Sequence, residues 1–205
     1  MKKVVLSIVL SIYSIVGFSQ SENNDVDSKI RFGFNLGGNY SILLSKESLP
    51  SGTEIYNGVG LKIGLFMDYS LSKNLLFSPK TELSFNYSGI EKINNDNSIT
   101  SYQVYPVSLD VMTHFVYKIG DGKVTPYILA GPNFKLPLID KSESSTELKS
   151  KPNFAIDFGV GLENRIKYFI FAPEIRYSLG LLNINKNSTF KTLNYHNISL
   201  TFNFK

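Results

Sequence analysis

Apolar and polar residues alternate one for one along most of the chain after residue 29. Between residues 58 and 71, Val59, Leu61, Ile63, Leu65, Met67, Tyr69 and Leu71 take the odd positions, and Gly60, Lys62, Gly64, Phe66, Asp68 and Ser70 the even ones. A period of two puts neighbouring side chains on opposite faces of a strand, so this segment predicts a long strand with one apolar face. Ser72, Lys73 and Asn74 turn the chain, and the alternation resumes at Leu75, Phe77, Pro79, Thr81, Leu83, Phe85 and Tyr87, completing a hairpin. The same pattern runs through residues 105–117, 127–136, 154–166 and 169–180, with a first strand carrying Ile30 to Leu36 and a last one carrying Ile198 to Phe204. That makes eight predicted strands.

The connections alternate in length. Short turns fall at residues 72–74, 120–123 and 167–168, whereas residues 42–57, 90–101, 140–151 and 183–191 read as long polar loops rich in Ser, Asn and Lys. Short turns at one end and long loops at the other, joined by strands of roughly 10 to 14 residues, predict an all-β, eight-stranded, antiparallel up-and-down transmembrane barrel. Closure follows from the solvent, since an open sheet edge would leave backbone groups unpaired in hydrocarbon.

Bulk decides which face meets lipid. The apolar face is crowded with Phe, Tyr, Leu and Ile and would overfill a lumen only wide enough for modest side chains; the polar face, with Gly60, Gly64, Gly159, Gly161 and Gly180, fits inside. Tyr40, Tyr69, Tyr87, Tyr105, Tyr117 and Tyr177 lie toward strand ends, where aromatic girdles meet headgroups. The polar parity places Arg31, Lys62, Lys80, Lys135, Arg165 and Arg176 in the interior with Asp68, Glu82, Asp110, Asp157, Glu163 and Glu174, six of each sign. These charges are expected to pair into a hydrogen-bonded network that plugs the lumen, with a narrow conducting or gated path as the alternative. Pro79, Pro106, Pro126, Pro132, Pro137 and Pro173 fall at or within predicted strands; because proline cannot donate to a ladder, bulges or strand ends are expected there.

The N-terminus changes where such a barrel resides. Lys2 and Lys3 precede a mostly apolar run of about 13 residues, 4–16, and Gly17, Phe18 and Ser19 follow. This pattern reads as a secretory signal peptide, residues 1–19, cut after Ser19 or Gln20 and followed by a short polar segment, 20–28, with the barrel over 29–205. Removing Lys2 and Lys3 lowers the formal net charge from +4 to +2. No Lys/Arg cluster marks a nucleic-acid footprint, the lack of Cys excludes a disulfide scaffold and a thiolate zinc site, and two His leave little for a metal. No cofactor is expected.

Several segments resemble the PorT-like, or porin-family, outer-membrane β-barrel proteins: Phe77-Ser78-Pro79-Lys80-Thr81-Glu82-Leu83, then Tyr105-Pro106-Val107 leading to Pro126-Tyr127-Ile128-Leu129-Ala130-Gly131-Pro132, and Arg176-Tyr177-Ser178-Leu179-Gly180-Leu181. The resemblance implies an integral outer-membrane protein of a Gram-negative bacterium. It also implies contact with outer-membrane lipid and insertion by the barrel-assembly machinery, which reads a final strand ending in an aromatic, here Phe204 followed by Lys205. The expected function is non-enzymatic, with the long loops contacting envelope or outside partners. A component of a protein-secretion system, the role of the family's namesake, is a second reading. A lipid-modifying enzyme is a third, with His114 or His196 as base beside a Ser or Asp; Asp110 and His114 share a strand face about 13 Å apart at ~3.3 Å per residue. A soluble lipocalin-type barrel is disfavoured by the bulk of the apolar face.

Overall fold

The computed structural model describes residues 29–46, 49–94, 96, 98–139, 151–184 and 192–205. The expected signal peptide and the 20–28 segment lie outside these residues, as do parts of the long connections at 140–150 and 185–191. Eleven strands are present among the described residues: β1 (Ile30–Ser45), β2 (Thr53–Tyr56), β3 (Gly58–Ser70), β4 (Leu75–Phe85), β5 (Gly89–Ile93), β6 (Ile99–Gln103), β7 (Val107–Lys118), β8 (Val124–Pro137), β9 (Asn153–Arg165), β10 (Ile170–Gly180) and β11 (Leu193–Phe204). Eight of them close into a barrel in the order β1-β11-β10-β9-β8-β7-β4-β3, every neighbour antiparallel. Their lengths, from 11 residues in β4 and β10 to 16 in β1, suffice for a tilted membrane crossing.

The pattern is inside-out relative to a water-soluble barrel. Val59 is 76% exposed and Leu61 68%, whereas Arg176 and Glu82, on the other face of the same wall, are 0% exposed. Phe34, Phe169, Phe171, Phe202 and Phe204 pack against one another on the outside near the short-turn end.

Three proline positions depart from the sequence expectation. Pro79, Pro132 and Pro173 sit well inside β4, β8 and β10, and neither a bulge nor a strand end accommodates them. The ladder toward one neighbour skips two residue pairs at each, then resumes in the same register: Phe66↔Lys80 to Tyr69↔Phe77, Met112↔Asn133 to Phe115↔Ala130, and Phe171↔Asn164 to Glu174↔Gly161. On the other side each proline keeps its partner, Thr113, Ile156 and Phe202 respectively. In an antiparallel sheet a residue's N–H addresses one neighbour only, so a missing donor opens one ladder and spares the other. Pro106, Pro126 and Pro137 do lie at or near strand ends.

The long connections hold a second correction. The stretch 42–57 is not all loop: β1 continues to Ser45, and β2 follows. With β5 and β6, which occupy most of 90–101, β2 forms a separate three-stranded sheet in the order β2-β5-β6. These strands are four or five residues long, too short for periodicity to reveal. The sheet turns Ile90 and Ile55 onto a buried cluster with Leu43, Val104, Tyr105, Ile184, Leu193 and Tyr195 at the loop end of the barrel. Tyr105, expected in the outer aromatic girdle, is 0% exposed inside this cluster. It has a left-handed backbone, φ 50°, between β6 and β7, its hydroxyl donates to the Lys151 carbonyl, and its ring meets that of Tyr195 edge-on at 5.0 Å. Burial of the ring within this apolar cluster offsets a local strain of about 1–3 kcal/mol.

The short-turn end has an apolar layer of its own, with Leu76, Val116, Tyr127, Leu129 and Ala172 facing inward together. Two inward aromatics lie over cross-strand glycines, Tyr127 over Gly161 and Phe66 over Gly33. A Cβ at either glycine would overlap the ring. Gly161→Val is therefore expected to destabilise the barrel by about 1–3 kcal/mol. Urea unfolding in lipid vesicles checks this, and combining it with Tyr127→Ala should recover part of the loss, as for any pair in direct contact.

Candidate functional site in the barrel lumen

Inward positions of all eight wall strands meet in a space that their own side chains fill. Arg176 on β10 is the hub: its guanidinium lies 2.5 Å from Glu82 on β4, 3.2 Å from Glu174 on its own strand and 3.5 Å from Asp157 on β9. Its fixed fork of donors suits such convergence, which a lysine ammonium could not span. Glu82 also accepts from Asn35 at 2.8 Å and pairs with Lys62 at 3.4 Å. Lys62 reaches on to Asp110, 3.4 Å away, which is held by Lys135 at 2.5 Å and by Ser84 and Ser108. Glu174 is completed by Lys80 at 3.3 Å and by the Tyr127 hydroxyl at 3.1 Å.

A second group lies toward the short turns. Lys205 pairs with Asp68 at 2.6 Å and Glu163 at 3.2 Å; Lys118 adds to Glu163 at 2.8 Å, and Ser78 donates to Asp68 at 2.7 Å. Between the two groups is a cavity of about 20 Å³ lined by Asp68, Ser78, Lys80, Glu174, Asn203 and Lys205, room for about one water. Lysine ammoniums join the charges to the apolar layers at both ends: Lys135 lies 5.5 Å over the Tyr195 ring, Lys80 5.2 Å over Phe66.

Of the twelve charged residues singled out from the sequence, ten are buried and joined here: Lys62, Asp68, Lys80, Glu82, Asp110, Lys135, Asp157, Glu163, Glu174 and Arg176. Arg31 and Arg165 stand instead at the short-turn rim, Arg31 half-buried opposite Asp68 and Arg165 with a side chain 37% exposed, 3.6 Å from Glu163. Lys118 and Lys205 take the buried positions those arginines were expected to fill, so the interior still sets six bases against six acids. Alternation carried one residue beyond each predicted strand end would have pointed both lysines inward.

The two histidines take different partners. His114 is buried and pairs with Asp157 on β9 at 3.0 Å, not with Asp110. His196 stacks on Tyr177 at 5.9 Å and exchanges a hydrogen bond with its hydroxyl at 3.0 Å.

Comparison with known proteins gives a consistent result. Residues 18–186 match the family model described as outer membrane protein beta-barrel domain. No curated protein matches the chain. Among solved structures, Neisserial surface protein A is similar at 14% identity and a TM-score of 0.51, over 87% of this chain and 99% of that one. The outer membrane protein OprG from Pseudomonas aeruginosa is similar at 13% identity and a TM-score of 0.52, over 85% and 93%. At this identity the likeness is one of fold.

Removing one member of a buried ion network leaves its partners as uncompensated charge, typically a loss of about 3–5 kcal/mol, whereas a rim pair is worth about 0–1. Arg176→Met is thus expected to lower the urea midpoint of the vesicle-reconstituted barrel far more than Arg165→Met, measured side by side.

Proposed function

The chain belongs to the outer membrane protein beta-barrel domain family, and from that premise we propose that it is a non-conducting, non-enzymatic barrel of the outer membrane whose loop-end cap faces outward and serves contact with the surroundings. One observation carries this reading: the lumen is filled along its length, the Arg176-centred network lying between two apolar layers, Tyr105, Tyr195 and their neighbours at the loop end and Tyr127, Phe66 and theirs toward the short turns, with the paired Lys118, Lys205, Asp68 and Glu163 closing the short-turn end beyond them. An ion entering from the loop end meets desolvation before it meets a charge, and one entering from the short turns meets charges that already pair with one another and then the layer of Tyr127 and Phe66. The cap supports the contact role. It builds ordered sheet from what would otherwise be two open loops, and it sets Glu54, Ser101, Ile93 and Ile99 on the exposed side of that sheet. Long loops of outer-membrane barrels are extracellular and short turns periplasmic, which fixes the orientation adopted here.

The buried His114–Asp157 pair argues for the non-enzymatic reading. A general base must reach the proton it takes, and this pair is enclosed by the wall and the network.

Purified protein in planar bilayers is expected to be electrically silent while showing the heat-dependent gel migration of a folded barrel. Persistent single-channel conductance from the wild-type protein would overturn the sealed lumen.

A further inference from the structure

The outer wall is not evenly covered. On β7 to β10 the apolar surface opens into a hollow of about 570 Å³ over Ala130, whose side chain is small where its neighbours Phe115, Phe158 and Tyr177 stand out around it. A second hollow of about 420 Å³ adjoins it, sharing Ile128, Val160 and Ile175, and continues past Pro126, Leu162 and Pro173 toward the short turns. Each volume falls within the ~300–1,000 Å³ of ordinary ligand sites. Together they form one groove running down the wall across three successive rows of outward residues.

The foot of this groove is basic. Lys123 and Arg165 are adjacent there, the Arg165 amide donating to the Lys123 carbonyl at 2.9 Å, and Lys167 follows in the next turn with its ammonium 5.1 Å over the exposed Tyr168 ring. Nearby acids leave the two lysines without a partner carboxylate among the described residues: Asp121 pairs with Lys73 at 2.8 Å, and Glu163 is held by Lys118, Lys205 and Arg165. In the connections at this end, Lys73, Lys123 and Lys167 face Asp121 alone.

An apolar groove in the hydrocarbon zone, ending in cationic side chains at headgroup level, is complementary to one molecule class. We propose that this face binds an anionic phospholipid of the leaflet around the short turns, an acyl chain lying over Ala130, Val160 and Ile175 and the phosphate meeting Lys123 and Lys167. The ring of Tyr168 and the lysine above it mark the interface where the headgroup sits. The site rests on the membrane orientation proposed above but lies outside the wall, so a conducting lumen would leave it standing, and its own failure would leave the lumen sealed.

Native mass spectrometry of the full-length protein, titrated separately with phosphatidylglycerol, phosphatidylethanolamine and lipopolysaccharide, tests it. One phosphatidylglycerol should be retained in preference to phosphatidylethanolamine. Lys123→Gln with Lys167→Gln should weaken phosphatidylglycerol on the order of fivefold for each lysine removed and leave phosphatidylethanolamine unchanged. Ala130→Phe, which fills the hollow, should weaken both lipids; heat-dependent gel migration verifies that each variant is folded. Equal retention of the two phospholipids, unchanged affinity in the double lysine variant, preference for lipopolysaccharide, or a lipid-free dimer closed through this face would each overturn the proposal.

Discussion

Hydrocarbon offers no hydrogen-bond partner to a backbone amide, and the whole molecule follows from that constraint. A sheet in such a solvent must close, and here β1 pairs with both β3 and β11 so that no wall strand has a free edge. Closure with eight strands sets the interior at about the volume of the side chains that point into it. Once the outward face is given to bulky apolar residues, the inward face must be both small and polar, and polar groups in so narrow a space must satisfy one another. Arg176, touching carboxylates from β4, β9 and β10, is where that obligation is met most densely. The same economy of space places glycines under Tyr127 and Phe66.

The ends of the barrel solve a different problem. A network of charges open to water at both mouths would be a wet and poorly specified core; an apolar layer on each side of the Arg176-centred network keeps it dry and strengthens its pairing. At the short-turn end the layer comes from the wall itself. At the loop end it needs extra chain, and β2, β5 and β6 supply it, with Tyr105 forced into a left-handed turn to place its ring. Pro79, Pro132 and Pro173 show how much irregularity the wall tolerates: each opens two rungs toward one neighbour while the register on both sides is kept.

What was legible in the sequence is what depends on neighbours in the chain. Strict alternation from Val59 to Leu71 reports a local geometry, and the eight wall strands, their inward parity and most of the interior charges follow from it. The cap does not, because strands of four or five residues carry too few positions to show a period and their burial depends on Leu43, Ile184 and Tyr195, far away in sequence. Tyr105 misled for the same reason, since parity cannot see that the strand begins two residues later, at Val107. Arg165 has interior parity but stands at the rim, while Lys205, one step past Phe204, is buried; depth along the barrel axis, unlike the face, is not written in alternation. The partner of His114 likewise comes from β9, two strands away around the wall.

The chain has no cysteine, so a single introduced thiol reports on its own position alone. Ser199 is fully buried at mid-lumen and donates only to Asn197, while Ser101 is exposed on the cap. With Ser199→Cys and Ser101→Cys compared in reconstituted vesicles, a small charged thiol reagent should label the cap position at once and leave the lumen position unmodified until the protein is unfolded. Rapid labelling at Ser199→Cys in the folded barrel would contradict a filled and sealed interior.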